Sequence, residues 1–393
     1  MANTLIETQK EIIEKVVSLI NKKIPAKQAK PLIAFTEQLY ATVAVEDLNE
    51  HGTLDLYGSI LAHWNFIHQR KPKENKIHIY NPNYEQHGWQ SKHTIVEVTT
   101  DDKPFLVDSI RMAVNRLGLS THLMIHRGRF KFKRNNKGEI VDVFSEDNYP
   151  SDATNEAFVC AEIDRVTDEA TIRDLERDIY KAIDDIQMCV DDWIKMRDTI
   201  DVSIKELEQL TDGNHDLNIV EESKDFLRWL ADNHFTFIGC REYELINEHG
   251  EMALSVLPDS GLGILRESVD TSPKIRLLSS LPEAARNLAL SKDVLIITQT
   301  NARSTIHRPV FYDYIGVKKY DKNGKVTGER RYLGLYTSEA YHTNPKDIPF
   351  VRHKVATIFD WSGVGTTGHA AKELLNILET LPRNAPSASS IGR

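Results

Sequence analysis

Between Ile95 and Val190 the apolar residues of this chain change their spacing from two to about 3.6, back again, and then to 3.6 once more. That alternation limits the chain to folds that lay helices on a sheet. Ile95-Val-Glu-Val-Thr99 is rich in β-branched residues and predicts a strand. Asp101-Asp-Lys-Pro104 then turns the chain, since the carboxylates suit a helix N-cap and proline fits a first turn. Leu106, Ile110, Val114 and Leu117 share one helical face, and Gly118 stops the helix. A long strand is expected from Leu119 to Lys133, a hairpin turn at Asn135-Asn-Lys-Gly138, and the return strand from Glu139 to Phe144. Ala157 to Ile163 predicts a further strand. An amphipathic helix follows, with Ile172, Leu175, Ile179, Ile183, Ile186 and Val190 on one side. A strand–helix–strand–strand core with an added strand and helix is an α+β sandwich.

The flanks are organised differently. Ile6, Ile13, Val16, Val17 and Ile20 recur at helical spacing, with Pro25 and Pro31 at the exit. Helices are expected over 31–45 and 54–69, and Pro72 with Asn81-Pro82-Asn83 marks a loop. Beyond a linker near Asp212-Gly213, a helix over 221–233 leads into a strand over 234–245. Strands at 253–257, 293–298, 310–320 and 329–336, the last two joined by the turn Asp321-Lys-Asn-Gly324, predict a second, mostly antiparallel sheet domain with flanking helices. The expected layout is a helical segment over 1–90, the sandwich over 91–200 and a linker and helix over 201–233. The second sheet domain follows over 234–345, then C-terminal helices over 346–382 and a disordered polar tail over 383–393.

Charge and cysteine usage exclude several classes of function. In 393 residues, 49 Lys and Arg stand against 58 Asp and Glu, a net charge of -9 that repels a phosphate backbone and argues against nucleic acid. The basic run Arg127 to Arg134 alternates and reads as a strand with a solvated charged face. No apolar stretch reaches the ~20 residues of a membrane span. Glu7, Glu11 and Glu14 rule out a signal peptide at the start of the chain. Cys160, Cys189 and Cys240 have no CxxC spacing and fit a reducing cytoplasm.

The motifs that could carry chemistry are few. Gly363, Gly365 and Gly368 have the G-x-G-x-x-G spacing of a dinucleotide-binding turn, and a helix with Ala370, Leu374, Leu375 and Leu378 follows. The residues before them, Ile348, Val351, Val355, Ile358 and Phe359, repeat at helical spacing, and no second strand comes after. The glycines therefore read as a helix-to-helix loop that does not hold NAD. His63 and His68 lie off a shared helical face. His122 and His126 share a strand face without a carboxylate or cysteine partner, which is weak ground for a metal. Asp184-Asp185 and Asp191-Asp192 read as a solvated polar helix face. Arg303, Ser304 and Arg308, with Thr305 and His307 between them, gather hydroxyls and positive charge. They suit either an anion site or a polar loop entering a strand.

Several long runs go beyond pattern. HFTFIGCREYEL (234–245), ARSTIHRPVFYDYIGVKKYD (302–321) and GERRYLGLYTSEAY (328–341) resemble the N-terminal part of the large bacterial NAD-dependent glutamate dehydrogenases. TTDDKPFLVDSIRMAVNRLGL (99–119), DSGLGIL (259–265) and ILETLPR (377–383) fit the same family, so the resemblance covers nearly the whole chain. It implies a much longer polypeptide that converts glutamate to 2-oxoglutarate and ammonia with NAD, in a catalytic domain well downstream. The region matched here would hold ACT-like and PAS-like modules that regulate and form oligomers. No catalytic, cofactor-binding or metal-binding residue carries over to this chain.

By the same resemblance, residues 92–197 are an ACT-like (ferredoxin-like) module and 234–345 a PAS/ACT-like sheet domain. ACT domains often bind amino acids where a D-x-P-G pattern links the first strand to the first helix. The corresponding run here is Asp101-Asp-Lys-Pro-Phe105, in which Phe105 replaces the glycine. Two readings stay open for Asp101, Asp102 and Lys103: an effector site at the helix N-terminus, or a capped helix packed in a dimer. For the chain as a whole the leading reading is a regulatory, oligomer-forming region without a catalytic domain. The alternatives are a stand-alone amino-acid-sensing module and a small NAD oxidoreductase.

Overall fold

The computed structural model describes residues 8–210, 215–270 and 272–362. The glycine motif at 363–368 and the tail lie outside the described residues. The chain forms two compact units, residues 1–186 with 305–309, and 187–304 with 310–393.

The first unit begins with four helices: α1 (Gln9–Lys23), α2 (Ala26–Tyr40), α3 (Val45–Asn49) and α4 (Thr53–His68). Thr8 caps α1 through a capping box with Glu11. Pro31, expected at a helix boundary, lies buried inside α2 instead. Its ring fills the core side of the second turn, where burial offsets the N–H it lacks. The short strand β1 (Lys76–Tyr80) then appears in a stretch read as loop between Pro72 and Pro82. After the single helical turn α5 (Tyr84–His87) come β2 (Thr94–Asp101), α6 (Leu106–Arg116), β3 (Thr121–Arg134), β4 (Ile140–Phe144) and β5 (Thr154–Ile163).

These strands form one antiparallel sheet in the order β1-β2-β5-β3-β4. Alternation along each strand divides its two faces. Val96, Val98, Ala157, Val159, Ala161 and Ile163 pack on α6 and on the first half of α7 (Glu169–Leu207). Ile95, Phe130, Phe132, Phe158 and Cys160 pack on α1, α2 and α4. The N-terminal helices are therefore a third layer on the sheet. Phe35 of α2 anchors it, ringed by Trp64, Phe130 and Phe158 at 5.1–5.9 Å between centroids. Burying four such rings on each other contributes several kcal/mol of apolar transfer energy, roughly 2 per ring.

The second unit opens with the C-terminal part of α7, a 39-residue helix that continues past Val190, the last apolar position named on its face from the sequence. α8 (Leu217–Trp229) follows and runs into a π-type turn over Leu230–His234, with Asn233 at φ 59°. The sheet strands are β6 (Phe235–Glu248), β7 (Glu251–Val256), β8 (Leu262–Gly263), β9 (Ile275–Leu277), β10 (Leu295–Arg303), β11 (Phe311–Tyr320) and β12 (Val326–Tyr336). Their order is β10-β11-β12-β6-β7-β9, with β8 paired to β6, and every pairing is antiparallel. Helices α9 (Glu283–Leu290), α10 (Ser338–His342) and α11 (Val351–Ser362) flank it. Met196, Ile200, Ile204 and Leu207 of α7 with Phe226 and Leu227 of α8 cover one face against Phe235, Phe237, Ile315 and Tyr332. Both units are helices on antiparallel sheet, the α+β class expected.

Asp185 and Asp192 correct the solvated-face reading of α7. Asp184 and Asp191 are exposed, but Asp185 and Asp192 are buried. Asp185 binds Lys181 Nζ at 3.0 Å and accepts from Thr305 Oγ1 at 2.7 Å. Asp192 accepts from Arg266 Nε at 2.6 Å and from the Gly263 N–H at 2.9 Å. Spacing on one helix shows which face a residue occupies. It does not show which long-range cation comes to meet it.

Candidate functional site

The turn from β2 into α6 is where the sequence leaves open either an effector site or a capped helix packed in a dimer. The helix starts at Leu106, and its N-cap is Phe105 at φ 65°, ψ 4°, with no side-chain cap bond. Neither Asp101 nor Asp102 caps it by a side-chain hydrogen bond. Asp101 is paired with Arg70 Nη2 at 2.6 Å, and the Asp102 N–H donates to Asn155 O at 3.1 Å. Lys103 Nζ donates to Thr100 Oγ1 at 3.2 Å. Phenylalanine thus holds the left-handed backbone that glycine takes without strain. The N-cap of α6 makes no side-chain bond to the first N–H groups of the helix.

Two contacts support this strained turn. Ser109 Oγ donates to Phe105 O at 2.7 Å and accepts from the His307 N–H at 3.2 Å. The His307 ring packs on Phe105 at 4.4 Å, and His307 is itself left-handed, at φ 66°. Burial, together with the neighbouring Arg308 charge, lowers the pKa of His307 below the usual imidazole value, against the pull of Asp108.

Arg303, Ser304 and Arg308, read as an anion site, lie at the end of β10 and in the loop that follows it. Arg303 ends β10 with its guanidinium over the Phe311 ring at 4.8 Å. The Ser304 N–H donates to Val310 O at 2.8 Å, and the Arg308 N–H to Ile306 O at 2.8 Å. Arg303 and Ser304 belong to the second unit and Arg308 to the first.

Sequence reasoning did not find the row of carboxylates on the α1/α2/α4 face of the first sheet: Glu97 and Asp101 on β2, Glu156 and Glu162 on β5. Glu97 is 1% exposed and bonded to His63 Nδ1 at 2.5 Å and His78 Nδ1 at 3.0 Å. Burial alone would raise its pKa; the two imidazole bonds outweigh it and hold the carboxyl below the usual range. Glu156 is fully buried, bonded by Arg134 Nε and Nη2 at 2.8 and 2.9 Å and by Arg70 Nη1 at 3.0 Å. Here too burial pushes the pKa up, and Arg134, Arg70 and the Thr154 hydroxyl together bring it down further than burial raises it. His63 was read only against His68. Its partner is 34 residues away, and the only local signal is a glutamate inside the strand IVEVT.

At the other end of β2 the same face opens into a cleft of about 540 Å³. Asp47, Glu50, Asp55, Lys92, His93 and Glu162 are among the residues that line it. The His93 ring stacks on His122 at 4.1 Å, and His122 Nε2 bonds Asp164 at 2.7 Å. His122 therefore has a carboxylate partner after all, supplied by β5's exit and not by its own strand. No group of three or more metal-binding side chains is found among the described residues. No described helix is long and apolar enough to cross a membrane.

Comparison with known proteins adds the following. Residues 35–179 match a family profile described as glutamate dehydrogenase, ACT1 domain, and residues 348–385 match glutamate dehydrogenase, helical motif 1. The second match includes the glycine motif at 363–368. The chain is 31% identical over 378 residues to an NAD-specific glutamate dehydrogenase of Halomonas elongata, covering 96% of this chain and 23% of that protein. It is 33% identical over 355 residues to the Pseudomonas aeruginosa protein of the same name, covering 89% and 21%. The Mycobacterium tuberculosis one is 22% identical over 290 residues, covering 73% and 16%. The chain thus spans less than a quarter of the length of these relatives.

Proposed function

The chain belongs to the family of large NAD-dependent glutamate dehydrogenases, as an N-terminal part of them, and on that premise we propose that it is their regulatory, oligomer-forming region. In this reading, glutamate oxidation to 2-oxoglutarate and ammonia with NAD takes place in a downstream catalytic domain that is the chain's partner. The first unit receives an amino-acid effector and the second is a PAS-like module. A cytoplasmic location goes with it, supported by three buried free thiols.

The observation that carries the reading is the β2–α6 turn. It lies in the ACT1-matched segment and keeps a glycine-like backbone at Phe105 with the helix N–H groups uncapped. A carboxylate there would gain hydrogen bonds from those groups and from the helix dipole, and Lys103 stands three residues from the helix start. Purified chain mixed with glutamate and NAD is expected to give no rise in NADH absorbance; steady turnover would refute the assignment. Calorimetry against the common amino acids is expected to find one that binds, with Lys103→Ala weakening it severalfold. Silence across the panel would leave the turn a packing element.

A further inference from the structure

In the second unit, helix α8 turns two carboxylates toward the start of α11. Glu222 is 7% exposed and accepts from the Phe350 N–H at 2.7 Å and from Arg352 Nε at 2.6 Å, with His353 Nε2 a further 3.0 Å contact. Asp225 accepts from Arg352 Nη2 at 2.6 Å. Three residues apart on one helix face, the two carboxylates reach the same guanidinium. Glu222 thereby caps α11 from another helix. Phe350 precedes α11 at φ 63°, a left-handed backbone that is costly for a phenylalanine, and its own ring cannot accept a hydrogen bond. That ring packs edge-on against Phe226 of α8 at 5.9 Å. The Arg352 hydrogen bond, against the effect of burial, holds the Asp225 carboxyl below the usual carboxylate range.

We propose that Glu222 and Asp225 form an electrostatic latch, which seats α11 on α8 and whose opening frees α11 while the sheet stays folded. The side chains of Arg352 and Asp225 are 37% and 40% exposed, so water and salt reach the outer bond, whereas Glu222 is held in the interior. An exposed ion pair is worth little by itself. Here the guanidinium is shared with the carboxylate that caps α11 and holds the turn at Phe350, so the bonds let go together. Once Arg352 leaves, Glu222 is a buried charge with less compensation, and hydrating it favours separation of the two helices. The sheet keeps its own cover, because Met196, Ile200 and Ile204 of α7 and Leu227 of α8 pack on it independently of α11. α11 lies in the stretch that matches the helical motif, so the latch decides whether the start of that motif is fixed to α8. The latch requires neither the effector nor the oligomer, and its failure and theirs are told apart.

The test is hydrogen–deuterium exchange of the full chain, read by mass spectrometry on α11 and on β6 and β12. In Glu222→Gln the amides from Val355 to Phe359 are expected to exchange about tenfold faster or more, the loss of charged hydrogen bonds, while β6 and β12 keep the parent rate. In the parent, about 1 M salt, where the screening length falls to ~3 Å, should speed the same amides of α11; in the variant it should add little. Unchanged exchange in α11 of the variant would overturn the proposal, as would a parent whose α11 ignores salt. Exchange that rises equally in α11, β6 and β12 would overturn it too, since the bonds would then belong to the global fold. Should Glu222→Gln fail to fold, Arg352→Gln removes the cation from the exposed side. Faster exchange confined to α11 is expected there, and parent-like exchange overturns the proposal.

Discussion

Phe105 and Arg134 show how single residues decide this structure. Phe105 sits where a β-carbon is disfavoured, so its strain and its ring contact with His307 act in opposite directions. Phe105→Ala keeps the strain and loses the ring; Phe105→Gly loses both. The glycine variant is expected to be more stable than the alanine variant by about 1 kcal/mol in urea denaturation. Arg134 is half of the compensation of buried Glu156 and also donates to Ile67 O at 3.1 Å and His68 O at 3.0 Å, the last carbonyls of α4. Arg134→Met should cost about 3–5 kcal/mol by the same measurement, because it leaves a buried carboxylate with Arg70 alone. Neither effect is legible in the sequence. The D-x-P-x pattern locates the turn but gives no sign that phenylalanine adopts the glycine conformation. Nothing near Arg134 points to a glutamate 22 residues on.

At the scale of elements, local spacing was a good guide wherever a segment has two distinct faces. Helix α6 and the hairpin of β3 and β4 lie close to where periodicity puts them. It failed for β1, whose KIHIY is short and flanked by prolines, and which becomes a strand because β2 offers it an edge. It failed for Pro31, where tertiary burial outweighs local preference. Helix packing supplies another case at Gly58 of α4: a β-carbon there would stand 2.5 Å from Trp89 Cβ and 3.0 Å from Gly88 O. Gly58→Val is expected to push the Gly88–Trp89 segment off the helix, lowering stability by about 2 kcal/mol and raising the fluorescence accessibility of Trp89 to quencher. A variant that melts like the parent would show that the segment can give way.

Across the whole molecule, buried charge sets the response to pH. Glu97 and Glu156 in the first unit have pKa values lowered below 4.5, and so do Glu242 and Glu329 in the second. A depressed carboxylate contributes stability that is complete above its unfolded value and disappears as pH falls through its folded one. Thermal melts should therefore change little between pH 7 and 5 on account of these groups and fall steeply below about 4.5. The Arg134→Met variant should show a shallower acid loss. A molecule equally stable at pH 3 and 7 would contradict the assignment of these bonds. The fold class was legible in the sequence because it depends on period. The sites were less so, because each is assembled from partners that only long-range strand order brings together.

Arg134 lies on β3, yet it closes the last turn of α4 and holds β5 through Glu156. A fluctuation that frees the end of that helix must also uncover a carboxylate in the middle of the sheet. The two layers therefore open as one cooperative unit, and backbone amides in α4 and β5 should exchange with solvent deuterium through the same rare event.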